Sequence, residues 1–250
     1  MLNYRQIGNG PSLVLQHGFL GGGGYWEPQL AMFGRHFNII APDLPGFAGS
    51  ADAPVPDTLK GFAASLISLL DHLEVGRTML LGHSMGSMVA LQIALDYPER
   101  VDRLVLYGSA SIGNLPSRFE SVDASIERIE SQGVDATADH IVPTWFVDGY
   151  QAPFAAMCRE AGRGATVAAT TRALRAISEW DVTDRLHEIT TPALIICGDR
   201  DRSTTPDNSF RLSKALVNSE LCIVPGCAHN VHLERPELFS SVVLDFLTRA

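Results

Sequence analysis

Cysteine is scarce in this chain of 250 residues: the four present, Cys158, Cys197, Cys222 and Cys227, show neither CxxC spacing nor a paired framework. Cys197 lies inside an apolar run where a strand is expected, so free thiols in a reducing cytoplasm are expected rather than a disulfide scaffold. Positive charge is also short. Lys and Arg number 19 against 28 Asp and Glu, a formal net charge of −9, and no basic cluster occurs along the chain. The electrostatic footprint that binds nucleic acid or an anionic membrane surface is therefore missing, and neither is expected as a partner. No apolar stretch approaches the length of a membrane span. The opening MLNYRQIGNGPSLVLQHG has no basic segment followed by an apolar run and a small-residue cleavage site, so it does not read as a signal peptide and a cytoplasmic location is expected. Internal repeats and low-complexity tracts are absent too, which excludes a solenoid or an array.

What is there is the balance of a globular protein, 46% hydrophobic and 19% charged, with enough length for one large domain carrying a small insertion. Short runs rich in Val, Ile and Leu recur at Ser12 to Gln16, Phe37 to Ala41, Arg77 to Leu81, Leu104 to Tyr107, Ala193 to Cys197 and Leu221 to Val224. Helical patterns fall between them, at Trp26 to Phe33, Thr58 to Leu73, Met85 to Tyr97, Pro206 to Leu216 and Pro236 to Thr248. Continuous apolar strands alternating with helices predict an α/β fold, a mostly parallel sheet covered on both faces. Between Ser109 and Thr191 amphipathic segments follow one another without a convincing strand, punctuated by Gly113, Pro116, Gly133, Pro143, Gly149, Pro153, Gly162 and Gly164. Residues 1–108 and 192–250 are thus expected to form the core, and 109–191 a helical cap, or lid, over the strand ends.

Chemistry enters with Gly82-His83-Ser84-Met85-Gly86, which follows the apolar MLLG and precedes the helical SMVALQIALDY. A G-x-S-x-G at a strand-to-helix turn is the setting of a nucleophile elbow. With 22 glycines in the chain the bare pattern is weak, and a serine N-cap at a glycine-rich turn would look the same. A serine without a base is a poor nucleophile, so the reading depends on a histidine. His229, in Pro225-Gly226-Cys227-Ala228-His229 after the last expected strand, sits at the same sheet edge and is favoured as general base. Its rival His232 lies in HLERP at the entry to the last helix, where a local hydrogen bond is the simpler role. For the acid that orients the base, Asp201 in Gly198-Asp199-Arg200-Asp201 is chosen. Asp199 could pair with Arg200 or Arg202, and Asp207 suits a helix start. The order Ser, Asp, His along the chain is that of strand-ordered triads of this kind.

The first strand runs into His17-Gly18-Phe19-Leu20 and then Gly21 to Gly24. Backbone N–H groups of Phe19 and Met85 are the expected oxyanion donors, with His17 fixing the loop by hydrogen bonds. A flexible loop would use the same glycines, but a phosphate loop would need a following Gly-Lys-Ser/Thr, which is absent. Eight histidines are scattered without HExxH, and the HNVH at 229–232 has no convincing array of further ligands, so no metal is expected. No GxGxxG follows a strand in a βαβ unit, so no nucleotide cofactor is indicated either. Trp26, Met85, Trp145, Phe146 and Trp180 are candidates for an apolar substrate pocket, with plain core packing as the competing role.

Taken together, HGFLGGGGYW, APDLPGFAGS, GHSMG, GDRD and GCAHNVHLERP make the chain resemble the α/β-hydrolase superfamily over nearly its full length. The second of these motifs usually reads D-x-x-G-x-G-x-S, and Ala48 stands here in place of the second glycine. The resemblance implies that Ser84, Asp201 and His229 occupy the catalytic positions. Within the superfamily the chain looks similar to 3-oxoadipate enol-lactonases and esterase-like relatives, through WEPQL, PTWF and RLHEITTPALIICGDRD. Thr144 and Ser178 stand where those lactonases carry basic lid residues, a departure that weakens the case for a carboxylate-bearing lactone. Meta-cleavage carbon-carbon hydrolases look similar too but usually have an aromatic residue directly after the histidine, where this chain has Asn230. The expectation is a serine hydrolase acting on an ester or lactone of a small, fairly hydrophobic molecule. Carbon-carbon hydrolysis and a triad-retaining small-molecule receptor are the alternatives, and a homodimer is left open.

Overall fold

The runs expected as strands pair side by side into a single sheet. A computed structural model of the chain describes residues 1–249. Among these, seven strands are ordered β1-β3-β2-β4-β5-β6-β7: β1 Tyr4–Ile7, β2 Ser12–Gln16, β3 Asn38–Pro42, β4 Thr78–His83, β5 Val101–Tyr107, β6 Ala193–Gly198 and β7 Ser219–Val224. Six run parallel; β1 alone is antiparallel, along β3 from Tyr4 opposite Pro42 to Ile7 opposite Ile39. β1 was not expected from the sequence. Its YRQI lies on the edge of the sheet and is largely exposed, so the apolar signal that betrays an inner strand is missing from it.

The helices are α1 Glu27–Phe33, α2 Leu59–His72, α3 Met85–Asp96, α4 Val122–Ile141, α5 Ala155–Gly162, α6 Val167–Ser178, α7 Pro206–Ala215, α8 Val231–Glu234 and α9 Pro236–Thr248. Several carry their start signals in the sequence. Thr58, Ser121 and Thr166 cap α2, α4 and α6 by accepting from the N–H three residues on, each at 3.1 Å, and Pro28, Pro206 and Pro236 occupy the first turns of α1, α7 and α9. α3 is apolar all round, and every residue from Met85 to Leu95 is buried, as a helix sandwiched under the sheet must be.

Period-two alternation along the strands divides the core between two faces. Val14, Ile40, Leu80, Leu104 and Ile195 join the cluster that includes α2, α3 and the helices of the insertion, whereas Leu13, Leu15, Ile39, Leu81, Val105 and Ile196 pack with α1 and α9. Between β5 and β6 the chain makes α4, α5 and α6 and short 3-10 turns. Gly133, at φ 86°, breaks α4 into two pieces. The entry and exit of this segment are joined by an isolated bridge between Ile112 and Asp181, with Gly113 N–H donating to Trp180 C=O and Val182 N–H donating to Ser111 C=O, both at 2.9 Å.

Candidate active site

Because β2, β4, β6 and β7 are mutually parallel, the loops after them leave the sheet at one edge, and those loops carry every residue expected to do chemistry. Ser84 follows β4 with φ 54° and ψ −121°, a conformation strained for a residue with a side chain. Its N–H donates to Tyr107 C=O at 2.8 Å, which anchors the turn to β5. The flanking glycines are required by contact: a Cβ on Gly82 would lie 2.3 Å from Gly86 O, and one on Gly86 would lie 2.4 Å from the carbonyl oxygens of both Gln16 and His17. β4, α3 and the loop after β2 are thereby pressed together beneath Ser84.

His229 and Asp201 meet as a buried pair. His229 Nδ1 donates to Asp201 Oδ2 at 2.7 Å, which leaves Nε2 as the nitrogen with a free lone pair. The carboxylate is itself held: Asp201 Oδ1 accepts from the N–H groups of Ser203 at 2.8 Å and Thr204 at 3.0 Å, and Oδ2 accepts from Thr204 Oγ1 at 3.1 Å. His229 C=O accepts from Tyr107 Oη at 2.6 Å and His83 Nε2 at 3.1 Å, so the backbone behind the imidazole is fixed as well. Among the described residues no hydrogen bond joins Ser84 Oγ to His229; the two line one pocket.

The rival residues have other partners. His232 is fully buried; its N–H donates to Tyr107 Oη at 3.3 Å and its Nδ1 lies 3.1 Å from the same oxygen. Since the Tyr107 proton goes to His229 C=O, His232 Nδ1 must carry a proton and donate to Tyr107. Burial pushes the pKa of His232 down to about 3 and that of His83 well below the ordinary histidine value, so both are neutral. Asp199 does not pair with Arg200 or Arg202. Its Oδ1 accepts from Gly226 N–H at 2.7 Å and Cys227 N–H at 3.3 Å, tying the loop after β6 to the loop after β7, because those amides lie in reach and the arginine side chains do not. Asp207 sits in the first turn of α7.

Phe19 and Met85 both line the pocket, and neither N–H donates a hydrogen bond within the described residues. Gly18 lies against Ser84: a Cβ there would be 2.9 Å from Ser84 Cβ. His17 fixes this loop, its Nδ1 against Gly18 C=O at 2.7 Å and its Nε2 accepting from Leu44 N–H at 2.8 Å. Of the four aromatic candidates for the pocket, only Trp145 lines it. Trp26 is fully buried on the other face of the sheet, 4.8 Å from the His232 ring and stacked near Phe239. Trp180 is turned inward by a 2.9 Å bond from Nε1 to Gln92 Oε1, and Phe146 packs into the core. Aromatic content marked these side chains, but their faces depend on turns that the sequence does not display.

The pocket has a volume of about 60 Å³, and its wall is largely apolar, with Met88, Leu115, Leu174 and Ile177 among the lining residues. Two polar features were missed from the sequence. Arg118, from the start of the segment after β5, lines the pocket beside Phe119. Glu234, whose pKa burial raises, accepts from Ala228 N–H and Val147 N–H, both at 2.7 Å, and so ties the His229 loop to the segment that carries Trp145. A lone arginine among loop residues and a glutamate at a helix entry give no periodic signal by which either could have been found.

A parallel sheet with a strained serine at a strand-to-helix turn and a buried His–Asp pair at the same edge is the architecture of the alpha/beta hydrolase family, whose model matches residues 13–242. The chain belongs to that family. It is 30% identical over 249 residues to "Putative carbamate hydrolase RutD" of Agrobacterium fabrum, covering 96% of this chain and 94% of the relative. It is 27% identical over 264 residues to the 2-hydroxy-6-oxo-6-phenylhexa-2,4-dienoate hydrolase of Burkholderia cepacia, covering 98% and 91%. The crystal structure of the enol-lactonase from Burkholderia xenovorans LB400 superposes with a TM-score of 0.90 at 27% identity, over 99% of this chain and 96% of that one. No described helix is long and apolar enough to cross a membrane.

Proposed function

We propose that this hydrolase cleaves a carboxylic ester or lactone of a small, largely apolar substrate through an acyl-enzyme on Ser84. The observation that carries the reading is the His229–Asp201 bond of 2.7 Å, which selects the tautomer of the neutral ring whose Nε2 has the free lone pair, in a pocket that His229 and Ser84 both line. Ser84 Oγ attacks the carbonyl carbon as His229 Nε2 takes its proton, and Asp201 stabilises the imidazolium that forms. The N–H groups of Phe19 and Met85 receive the negative charge that develops on the carbonyl oxygen. On collapse the leaving alkoxide takes the proton from His229. Water, deprotonated by the same nitrogen, then attacks the acyl carbon, and Ser84 is released with its proton restored. The Ser84 to His229 hydrogen bond is expected to form as substrate fills the pocket. Residues 109–191 would act as the lid of this site, since Leu115, Trp145, Leu174 and Ile177 come from it.

The enol-lactonase similarity supports ester chemistry; the dienoate hydrolase similarity keeps carbon-carbon cleavage as the second reading. A panel of p-nitrophenyl esters, simple lactones and a ring-fission dienone separates them, with preference for the dienone displacing the ester reading. Ser84→Ala should fold normally and lose at least about a thousandfold in kcat, and a fluorophosphonate should add to the wild type and not to the variant. Retained turnover by Ser84→Ala would sink the mechanism.

A further inference from the structure

We propose that the pocket selects a substrate bearing a carboxylate remote from the scissile bond, bound by Arg118 with help from Ser203. The inference rests on the hydrolase reading of this pocket and adds the charge of the substrate to it.

Among the pocket's lining residues Arg118 is the only side chain with a permanent charge, set among apolar neighbours such as Leu115, Phe119 and Val122. A cation held beside an apolar pocket bears a desolvation cost, and burial lowers the pKa of Arg118 despite the opposing pull of the Glu120 carboxylate. No carboxylate lies within ion-pair distance of it among the described residues. Glu120 acts on it only from beyond ion-pair distance, through Ser125, and its carboxylate is engaged directly by others: it accepts from Arg128 Nη1 at 2.8 Å and Ser125 Oγ at 2.6 Å, and lies 3.2 Å from His140 Nε2.

The guanidinium is nevertheless positioned. Nη1 donates to Glu120 C=O at 2.8 Å, Ser121 C=O at 3.3 Å and Ser125 Oγ at 3.1 Å, and the Phe119 ring lies 4.6 Å from Cζ. Nε and Nη2 donate to nothing within the described residues. These two form the edge of the guanidinium that meets a carboxylate with two parallel N–H···O bonds. With one nitrogen pinned and one edge free, the side chain is organised for a planar monoanion. A phosphate dianion would call for a second cation, and the lining offers none.

Ser203 supplies the second, independent mark. It lines the same pocket, is buried, and its Oγ has no hydrogen-bond partner. Phe119 N–H donates to Arg202 C=O at 2.9 Å, so the Arg118 segment and the Ser203 loop are pinned to each other. A buried hydroxyl left unpaired is costly, and a ligand oxygen would satisfy it. The absence of basic residues at Thr144 and Ser178 therefore does not leave the pocket without a cation. The cation enters from the segment after β5.

The test compares p-nitrophenyl hemisuccinate with p-nitrophenyl butyrate, and the quantity read is the ratio of their kcat/KM values in each protein. The wild type should prefer the hemisuccinate about tenfold or more, with the difference mainly in KM. Arg118→Met should bring the ratio near unity, Arg118→Lys should restore part of it, and Ser203→Ala should lower it less. A wild-type preference for butyrate, or a ratio unmoved by Arg118→Met, would overturn the proposal while leaving the ester mechanism intact. Should neither ester be turned over, the ester reading fails on its own, and glutarate binding to the wild type decides the anion site. Thermal stabilisation by glutarate that is lost in Arg118→Met supports it, and no stabilisation overturns it.

Discussion

Asp199 and Asp201 stand two positions apart on one loop, yet their carboxylates serve different partners: Asp199 accepts from the amides of Gly226 and Cys227, and Asp201 accepts from His229 Nδ1. The first bond set holds two loops together. The second sets the tautomer of a candidate base. Asp201→Asn should therefore keep the fold, since the amide oxygen can still accept from Ser203 and Thr204, but invite the wrong histidine tautomer, costing on the order of a thousandfold in kcat. Asp199→Asn should cost far less in kcat and lower stability by about 1 kcal/mol. Kinetics and thermal melting on the same samples check both, and a crippled Asp199→Asn beside a near-normal Asp201→Asn would contradict the assignment.

The sequence made the edge of the sheet that carries the candidate residues readable because each candidate residue follows an apolar run, and parallel pairing sends all such residues to one end. That logic together with the family resemblance singled out Ser84, Asp201 and His229 as candidates, whereas position alone left Asp199 and His232 as rivals. β1 could not be placed in this way, since an exposed edge strand lacks the apolar run. Trp26 and Trp180 were indistinguishable from pocket residues until the sheet and the Gln92 contact fixed which way they face. Arg118 and Glu234 act through loops brought together only by the tertiary fold, so nothing in their local spacing marks them.

Buried neutral histidines make stability depend on acid. The folded-state pKa of His232 is pushed down to about 3 by burial, and His83 and His17 are lowered for the same first cause. In the unfolded chain these rings titrate near the ordinary value of about 6.5. Below that pH the unfolded state binds more protons than the folded one, so stability falls on acidification. The contribution is fully present above about pH 6.5 and is lost progressively from there down towards the folded value, by up to about 1.4 kcal/mol per pH unit for each ring. Urea unfolding at a series of pH values between about 8 and 5 should show a plateau and then a decline. His232→Gln, whatever its cost at neutral pH, should make that decline shallower by about one proton. A midpoint constant down to about pH 5 would show that these rings are not held neutral.

The last expectation concerns the loop that departs from its family's usual pattern. Ala48 occupies the position where the resemblance leads one to expect glycine, and its φ is 44°, in the left-handed region. A side chain there costs roughly 1–2 kcal/mol. Glycine would relieve that cost but lose roughly 0.5–1 kcal/mol through its greater freedom in the unfolded chain. Ala48 is only half-buried, so its methyl contributes little packing to set against the difference. The turn itself is held from outside: Asp43 accepts from Gly23 N–H at 2.7 Å and from Gly49 N–H at 3.0 Å, and these bonds involve neither the methyl nor its loss. Ala48→Gly should therefore stabilise the protein by about 0.5–1 kcal/mol, a rise of about 1–2 °C in Tm for a chain of this size, with kcat unchanged. Thermal melting and urea titration together check it. A fall in stability of similar size would mean that the loop prefers an alanine-compatible φ, and that the departure from the family pattern has reshaped the turn rather than strained it.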